Sequence, residues 1–434
     1  MSLRQVHILG LIIASFFSVL FLLHFGVFGY VLQLDMIFGP ESASAGLSSF
    51  IEQGSVYGLL IYIGSNIFGV ELFQRVLVGG ILFASIYIPY ISLYYIYQKN
   101  EFGHILGYIL GSILMACNPY VYSRLLAGQW GLVFGYILIL PLISTLYSMH
   151  LGTRKKVLFL SLVLLLQVIF ASHIAIISIF FVCAVLVYMK EYRQILHVCS
   201  YLLLAGIWFL PQKILYILRF DTGNGGVFFK SPTVLEAISF KGFWLESEPW
   251  VGNFFLPLRD MPNIILVMTA IILLSAMYAV YVQRRDTRVH LMVALYCISL
   301  LCTVYGSYIF AYVPLFDSIF RDTSKWQSVV VVLTVISFVH TYIHLKSRYT
   351  RYLLMLPPLF LVVTFSVGLL SSVHAYTFTK SVTEIRAELS QRKGCMVLVL
   401  PWYQYYTNVY MKDGEVVSLL TANPARHIYP CTVL

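Results

Sequence analysis

Residues 315–351 read LFDSIFRDTSKWQSVVVVLTVISFVHTYIHLKSRYTR. From Trp326 to Leu345 there are 20 residues without Asp, Glu, Lys or Arg. As a helix this run reaches roughly 30 Å, the thickness of a bilayer's hydrocarbon core. Its two flanks differ. Acids and bases are mixed before it (Asp317, Arg321, Asp322, Lys325), whereas Lys346, Arg348 and Arg351 follow it with no acid among them. By the positive-inside rule the basic flank faces the cytoplasm, so this run is a membrane helix entered from outside.

Working outward, hydropathy marks apolar stretches at 8–30, 73–97, 104–118, 131–149, 157–171, 174–188, 195–212, 262–282, 289–305, 326–345 and 353–374, which predicts eleven crossings. The gaps alternate in charge. Arg4, Lys99, Arg154, Lys155, Lys156, Lys190, Arg193, Arg284, Arg285, Arg288, Lys346, Arg348 and Arg351 fall in one set, with only Glu101, Glu191 and Asp286 among them. That set is expected in the cytoplasm, with the N-terminus inside and the C-terminus outside. The other 15 bases meet 15 acids, so the formal charge of +10 is an orientation signal and no sign of nucleic-acid binding. With 60% hydrophobic and 11% charged residues, 434 residues cannot cover a soluble globule; lipid must supply the cover. The first apolar stretch outruns a secretory signal and is read as an uncleaved helix. The expected fold is an all-α polytopic membrane protein over 1–374 with a small extracytoplasmic α/β appendage over 375–434.

The inner gaps merely turn the chain around, whereas the outer segments 31–72, 118–130, 213–261, 306–325 and 375–434 are long, which places function on the outer face. In the first, Leu59, Leu60, Ile63, Ile67 and Phe68 recur at helical spacing, as in an interface helix or a short re-entrant hairpin. In the second, Asn118-Pro119 stops a helix and leaves Arg124, Gln129 and Trp130 at the outer boundary. The tight turn ASHI at 171–174 divides an over-long apolar run and leaves His173 at the rim. In the loop at 213–261, Trp244 and Trp250 stand beside Glu246 and Glu248. Aromatic faces beside carboxylates suit sugar rings, and they equally form an aromatic belt at the lipid surface. In YVPLFDSIFRDTSKW, a helix would put Asp317, Arg321 and Lys325 on one face. Arg321 then offers a bidentate fork for a phosphate and Lys325 a point charge; the alternative is an Asp317–Arg321–Asp322 ion-pair network.

The tail reads as an amphipathic helix in VTEIRAELSQRKG, a strand in CMVLVLPW and a second in EVVSLL, with an abrupt end that suggests an incomplete C-terminus. Five cysteines (Cys117, Cys183, Cys199, Cys297, Cys302) lie in or beside apolar spans and are read as small apolar residues; Cys395 and Cys431 share the tail, either as one disulfide or as two thiols.

Asp35 in LDMIFGPE, soon after the first helix, together with NPYVYSRLLAGQW, the SH turn, FRDTSKW and the LVLPW segment, resembles the GT-C superfamily of glycosyltransferases. The superfamily's acid-x-acid pattern is reduced here to Asp35, the next acid being Glu41. The resemblance implies a polyprenyl-phosphate-linked sugar donor entering from the lipid and a glycan, lipid or protein acceptor from outside. It makes Asp35 the catalytic base and Arg321 and Lys325 the clamp on the leaving phosphate. Arg124 and His173 become outer-rim contacts to phosphate or sugar, and Glu41 assists the acceptor or a divalent cation, whose need is left open. No GxxxxGK[ST] or GxGxxG occurs, so a nucleotide-sugar donor is disfavoured. A lipid-linked glycan flippase and a non-catalytic envelope-assembly protein are the other readings. Against a transporter, the acids cluster at the outer rim and the two halves show no repeat.

Overall fold

The computed structural model describes residues 2–24, 29–31, 35, 38–147, 152–207, 211, 231–241, 262–313, 320, 322–372, 374–392, 395–397, 405–412, 415–422, 428–430 and 432–433. Among the described residues, seven helical runs are long and apolar enough to cross a membrane. They are α1 (Leu3–His24), α4 (Val70–Tyr97), the consecutive α7 (Trp130–Ile137) and α8 (Ile139–Tyr147), α13 (Pro262–Val282), α14 (Thr287–Phe310), α15 (Gln327–His344) with the 3-10 turn Thr323–Trp326 before it, and α16 (Arg348–Ser372). An eighth results if α5 (Phe102–Ala116) and α6 (Pro119–Leu126), bent by 42° at Asn118, count as one broken span.

The other three expected crossings are helical but short or charged. Helix α9 (Thr153–Phe170) has 18 residues with Arg154, Lys155 and Lys156 in its first turn, α10 (Ser172–Tyr188) has 17, and α11 is described over the 15 residues Tyr192–Gly206. Crossing needs about 20 apolar residues, and over the described residues these three segments fall short of that length or carry charge at one end.

Helix α15 is the hub: 89% of its apolar window is buried inside the protein, against 28% for α13 and 22% for α14, which face outward with Leu274, Met277 and Leu301 exposed. In water such faces would be untenable; in hydrocarbon they are ordinary. Close approach elsewhere depends on glycine, the usual device of membrane helices. A side chain at Gly131 or Gly135 on α7 would meet Phe170 O at 2.6 Å or Ala171 Cβ at 2.5 Å. These two positions, one turn apart, let the α9–α10 turn seat on α7. Gln167, fully buried, fastens it by donating to Gly135 O at 2.8 Å.

The first outer segment forms two helices, α2 (Ser42–Gln53) and α3 (Val56–Phe68), packed at Gly46 and Gly58, where a Cβ on either would lie 2.6–2.7 Å from the other's carbonyl oxygen. The helix expected from the spacing of Leu59 to Phe68 is α3, and α2 was not anticipated. Ahead of them, β1 (Tyr30–Val31) pairs antiparallel with β2 (Ala375–Phe378), giving a sheet in the order β1-β2-β4-β5 with β4 (Tyr405–Lys412) and β5 (Glu415–Ala422). On its other side β1 meets the buried amide of Gln74 on α4, which accepts from Val31 N at 2.9 Å and donates to Val31 O. The amphipathic helix of the tail is α17 (Lys380–Ser390). A parallel pair, β3 (Met396–Val397) and β6 (Thr432–Val433), places Met396 opposite Thr432. Cys395 is disulfide-bonded and the five span cysteines are free. Cys431, the seventh, is outside the described residues, one position before β6.

Candidate functional site

The outer break at Asn118-Pro119 builds the framework. Proline has no N–H and fits the first turn of a helix, and Asn118 caps α6 by accepting from Val121 N at 3.0 Å. The Asn118 amide also donates to Leu114 O and Met115 O, each at 2.8 Å, so the end of α5 and the start of α6 share one buried side chain. Helix α6 thereby turns inward and carries Arg124 to full burial. It ends at Gly128, whose φ of +74° favours glycine. The carbonyl of Ala127 then accepts from Asp35 N at 2.9 Å, which pins the backbone of the first outer segment here.

Arg124 is the centre of a polar chain that joins three distant segments. Its Nη1 donates to Asp322 Oδ2 at 2.7 Å and to Gln129 Oε1 at 2.7 Å, and its Nη2 donates to Ser324 Oγ. Because arginine has only donors, Gln129 must present its oxygen to it and turn its NH2 outward. That NH2 donates to Asp35 Oδ2 at 2.9 Å. Asp322 is also the cap of the 3-10 turn: its Oδ1 accepts from Ser324 Oγ at 2.6 Å and Ser324 N at 3.2 Å. Burial would raise the Asp322 carboxyl, but the charges of Arg124 and Lys325, with the hydrogen bonds from Arg124 and Ser324, bring it down to about 2.

The FRDTSKW segment is thus a capped 3-10 turn rather than an α-helical face. Lys325 is in it and buried. Thr323 Oγ1 donates to Thr303 O at 2.8 Å, and the fully buried Gln327 amide donates to Ala237 O and Lys241 O, each at 2.7 Å. These bonds seat part of the 213–261 loop, including α12 (Val234–Ile238), beside the turn.

Asp35, exposed, is at the edge of a cleft of about 360 Å³ bounded by α2, α3, the start of α7 and Phe170. Its wall mixes hydroxyls (Ser42, Ser49, Ser55, Tyr57) with apolar faces such as Ile61 and Phe170. This size is within the roughly 300–1,000 Å³ of small-molecule sites. A carboxylate oriented by an amide at such an edge can accept a proton from a bound hydroxyl.

Of the residues expected at a site, Asp35, Arg124 and Lys325 are brought to one region. Arg124, expected as an outer-rim phosphate contact, is instead wholly buried, with its guanidinium engaged by Asp322. Glu41 pairs with Arg386 of α17 at 2.6 Å, fastening the tail to the first segment. His173 is half-buried, second in α10. Arg321, Trp244, Glu246, Trp250 and Cys431, with the Asp317–Arg321 side of the alternative ion-pair network, are outside the described residues. Among the described residues no three His, Cys, Asp or Glu side chains gather as metal ligands. Gln129, Ser324 and Asp322, the links of the network, were not expected as site residues.

The whole chain superposes on the cryo-EM structure of the arabinofuranosyltransferase AftD from mycobacteria, with a TM-score of 0.67 and 11% sequence identity. The match covers 100% of this chain and 32% of that one. At this identity the likeness is one of fold: the chain is a multi-pass membrane protein whose helices are arranged like the matched third of that neighbour. No family model matches the sequence, and no curated protein sequence matches it.

Proposed function

We propose that the protein transfers a sugar from a polyprenyl-phosphate-linked donor to a glycan, lipid or protein acceptor on the outer face of the membrane. The observation that carries this reading is the placement of Asp35: an exposed carboxylate at a cleft, aimed by Gln129 and tied through Arg124 to the turn that bears Lys325. The acceptor oxygen attacks the anomeric carbon, the bond from that carbon to the phosphate oxygen breaks, and the phosphate leaves with the electron pair. Asp35 takes the acceptor's proton, while Arg321 and Lys325 neutralise the departing phosphate, which needs positive charge rather than a proton. Arg124 acts by holding this frame. Trp244, Glu246 and Trp250 contact the sugar or acceptor, and His173 and Glu41 border the same outer face.

The arabinofuranosyltransferase neighbour supports this class of chemistry, and the 13-to-3 basic bias of alternate gaps supports an outer active face with the N-terminus inside and the tail outside. The test is transfer from a radiolabelled polyprenyl-phosphate sugar to endogenous acceptors in membranes. Asp35→Asn keeps the side chain's size and removes the base, so turnover falls about 10²-fold or more while donor binding persists. Equal turnover of Asp35→Asn and wild type removes Asp35 from the chemistry; movement of the labelled lipid across the bilayer without a new glycosidic bond overturns the transferase reading.

A further inference from the structure

A second cavity, of about 770 Å³, is at the end of the bundle opposite the Asp35 cleft. Helix α7 starts at the cleft and its continuation α8 ends at this cavity, as does α4, with Tyr147 and Tyr97 in the lining. Its other walls are the last turns of α13, the first turns of α14 and the middle of α15. The lining on α13 runs from Leu273 to Tyr281 and that on α14 from Arg288 to Cys297. Each is nine or ten residues, or roughly 15 Å of helix and half the hydrocarbon thickness. The slot is therefore one leaflet deep.

The walls and the mouth differ in chemistry. Away from the mouth the lining is apolar, with Leu273, Val293, Leu333 and Ile336. At the mouth are Gln283, Asp286 and Arg288, with Gln283 Nε2 3.0 Å from His340 Nδ1. Two guanidinium groups flank the opening over tyrosines that line it: Arg284 is 4.5 Å from the ring centre of Tyr281 and Arg288 is 5.9 Å from that of Tyr147. Neither forms a salt bridge with a described residue. Asp286 caps α14 by accepting from Arg288 N at 2.9 Å, so its charge serves the helix's positive end. The connection from α13 to α14 that borders the mouth carries Arg284 and Arg285, with Arg288 in the first turn of α14, against that single acid.

An apolar slot of one leaflet's depth with a basic rim at the membrane boundary fits an amphiphile whose head is anionic. We infer that the cavity seats one anionic phospholipid from the leaflet the basic gaps face, its phosphodiester between Arg284 and Arg288 and an acyl chain along α13–α15. A zwitterionic lipid would bring an ammonium group to a rim whose one acid already caps a helix, and a free phosphate would leave the apolar walls unmatched. This site is independent of the sugar-transfer reading.

The test uses the detergent-purified full chain. In native mass spectrometry after delipidation, added dioleoyl phosphatidylglycerol is retained at one molecule per chain and raises the thermal midpoint, whereas dioleoyl phosphatidylcholine and glycerol 3-phosphate do neither. Arg284→Gln with Arg288→Gln, both exposed, weakens retention by about tenfold to thirtyfold. Val293→Trp fills the slot and abolishes retention with an unchanged circular dichroism spectrum. Equal retention of the two lipids, stabilisation by glycerol 3-phosphate alone, or retention unaffected by both sets of substitutions overturns the inference.

Discussion

Breaking the Arg124–Asp322 pair from one side is the most informative perturbation of the site. Both side chains are almost wholly out of solvent, at 0% and 6% exposure, and they meet at 2.7 Å. Replacing Asp322 by Leu leaves a guanidinium in a low-dielectric interior with neutral acceptors such as Gln129 and Ser324 in place of a carboxylate; Arg124→Met leaves the converse carboxylate. Each should cost about 3–5 kcal/mol, because the remaining charge keeps its desolvation penalty and loses its partner. The fall of the Asp322 carboxyl from 3.8 to about 2 is net of burial, and it puts roughly 2 kcal/mol on the ionised state alone. Removing both charges, Arg124→Met with Asp322→Leu, removes both penalties, so the double variant should regain all but about 1–2 kcal/mol. The measurement is a double-mutant cycle on unfolding in mixed micelles, with a coupling energy of at least about 2 kcal/mol expected. Transfer is assayed alongside. With no arginine to orient Gln129, the double variant should stay slow even where stability has returned. Additive single costs, or full activity in the double variant, would refute the role of the pair in aiming Asp35.

Acid should act on this pair late. Asp322 is depressed in the folded protein, so its contribution to stability is complete above about pH 4 and is lost only as pH falls through about 2; denaturation curves between pH 5 and 8 should show no transition that Asp322→Leu removes. Gly131→Leu should lower the thermal midpoint, at a cost of about 1–3 kcal/mol from overpacking against Phe170 O, while Gly80→Ala, with nothing within 4 Å, should not. Cysteines introduced at Thr153 and Thr383 should react with impermeant reagents from opposite sides; labelling from the same side overturns the proposed orientation. Asp35→Asn, as set out above, separates donor binding from turnover.

Much of the architecture was legible because lipid imposes it. Each of the eleven apolar runs contains a helix among the described residues, and the breaks at Asn118-Pro119 and at the ASHI turn fall where proline chemistry and helix length require them. The region of the site was legible too, since Asp35, NPYVYSRLLAGQW and FRDTSKW do converge. The pairing within it was not. Arg124 and Asp322 are 198 positions apart, and the sequence offered Arg321 as a nearer partner for Asp322; charge type alone does not select among partners. Gln129 was noted only for its position, because an amide acquires a direction only from what it bonds. Strand β1 has two residues and no periodicity to read, and its partner β2 is 344 positions later. The α-helical face expected through Lys325 gave way to a 3-10 turn because Asp322 caps it from within.

Strand β1 has one edge closed by the amide of Gln74 and the other by β2, and Asp35 follows it by four residues. During synthesis the first clasp is available as soon as α4 has entered the membrane. The second must wait until the chain has been threaded past residue 376, after the spans up to Leu369 have been inserted. The segment leading to the proposed base is therefore only half secured in any partly made chain. Biogenesis itself acts as a timer, and the segment that carries Asp35 is fully secured only by a strand made more than 340 residues later.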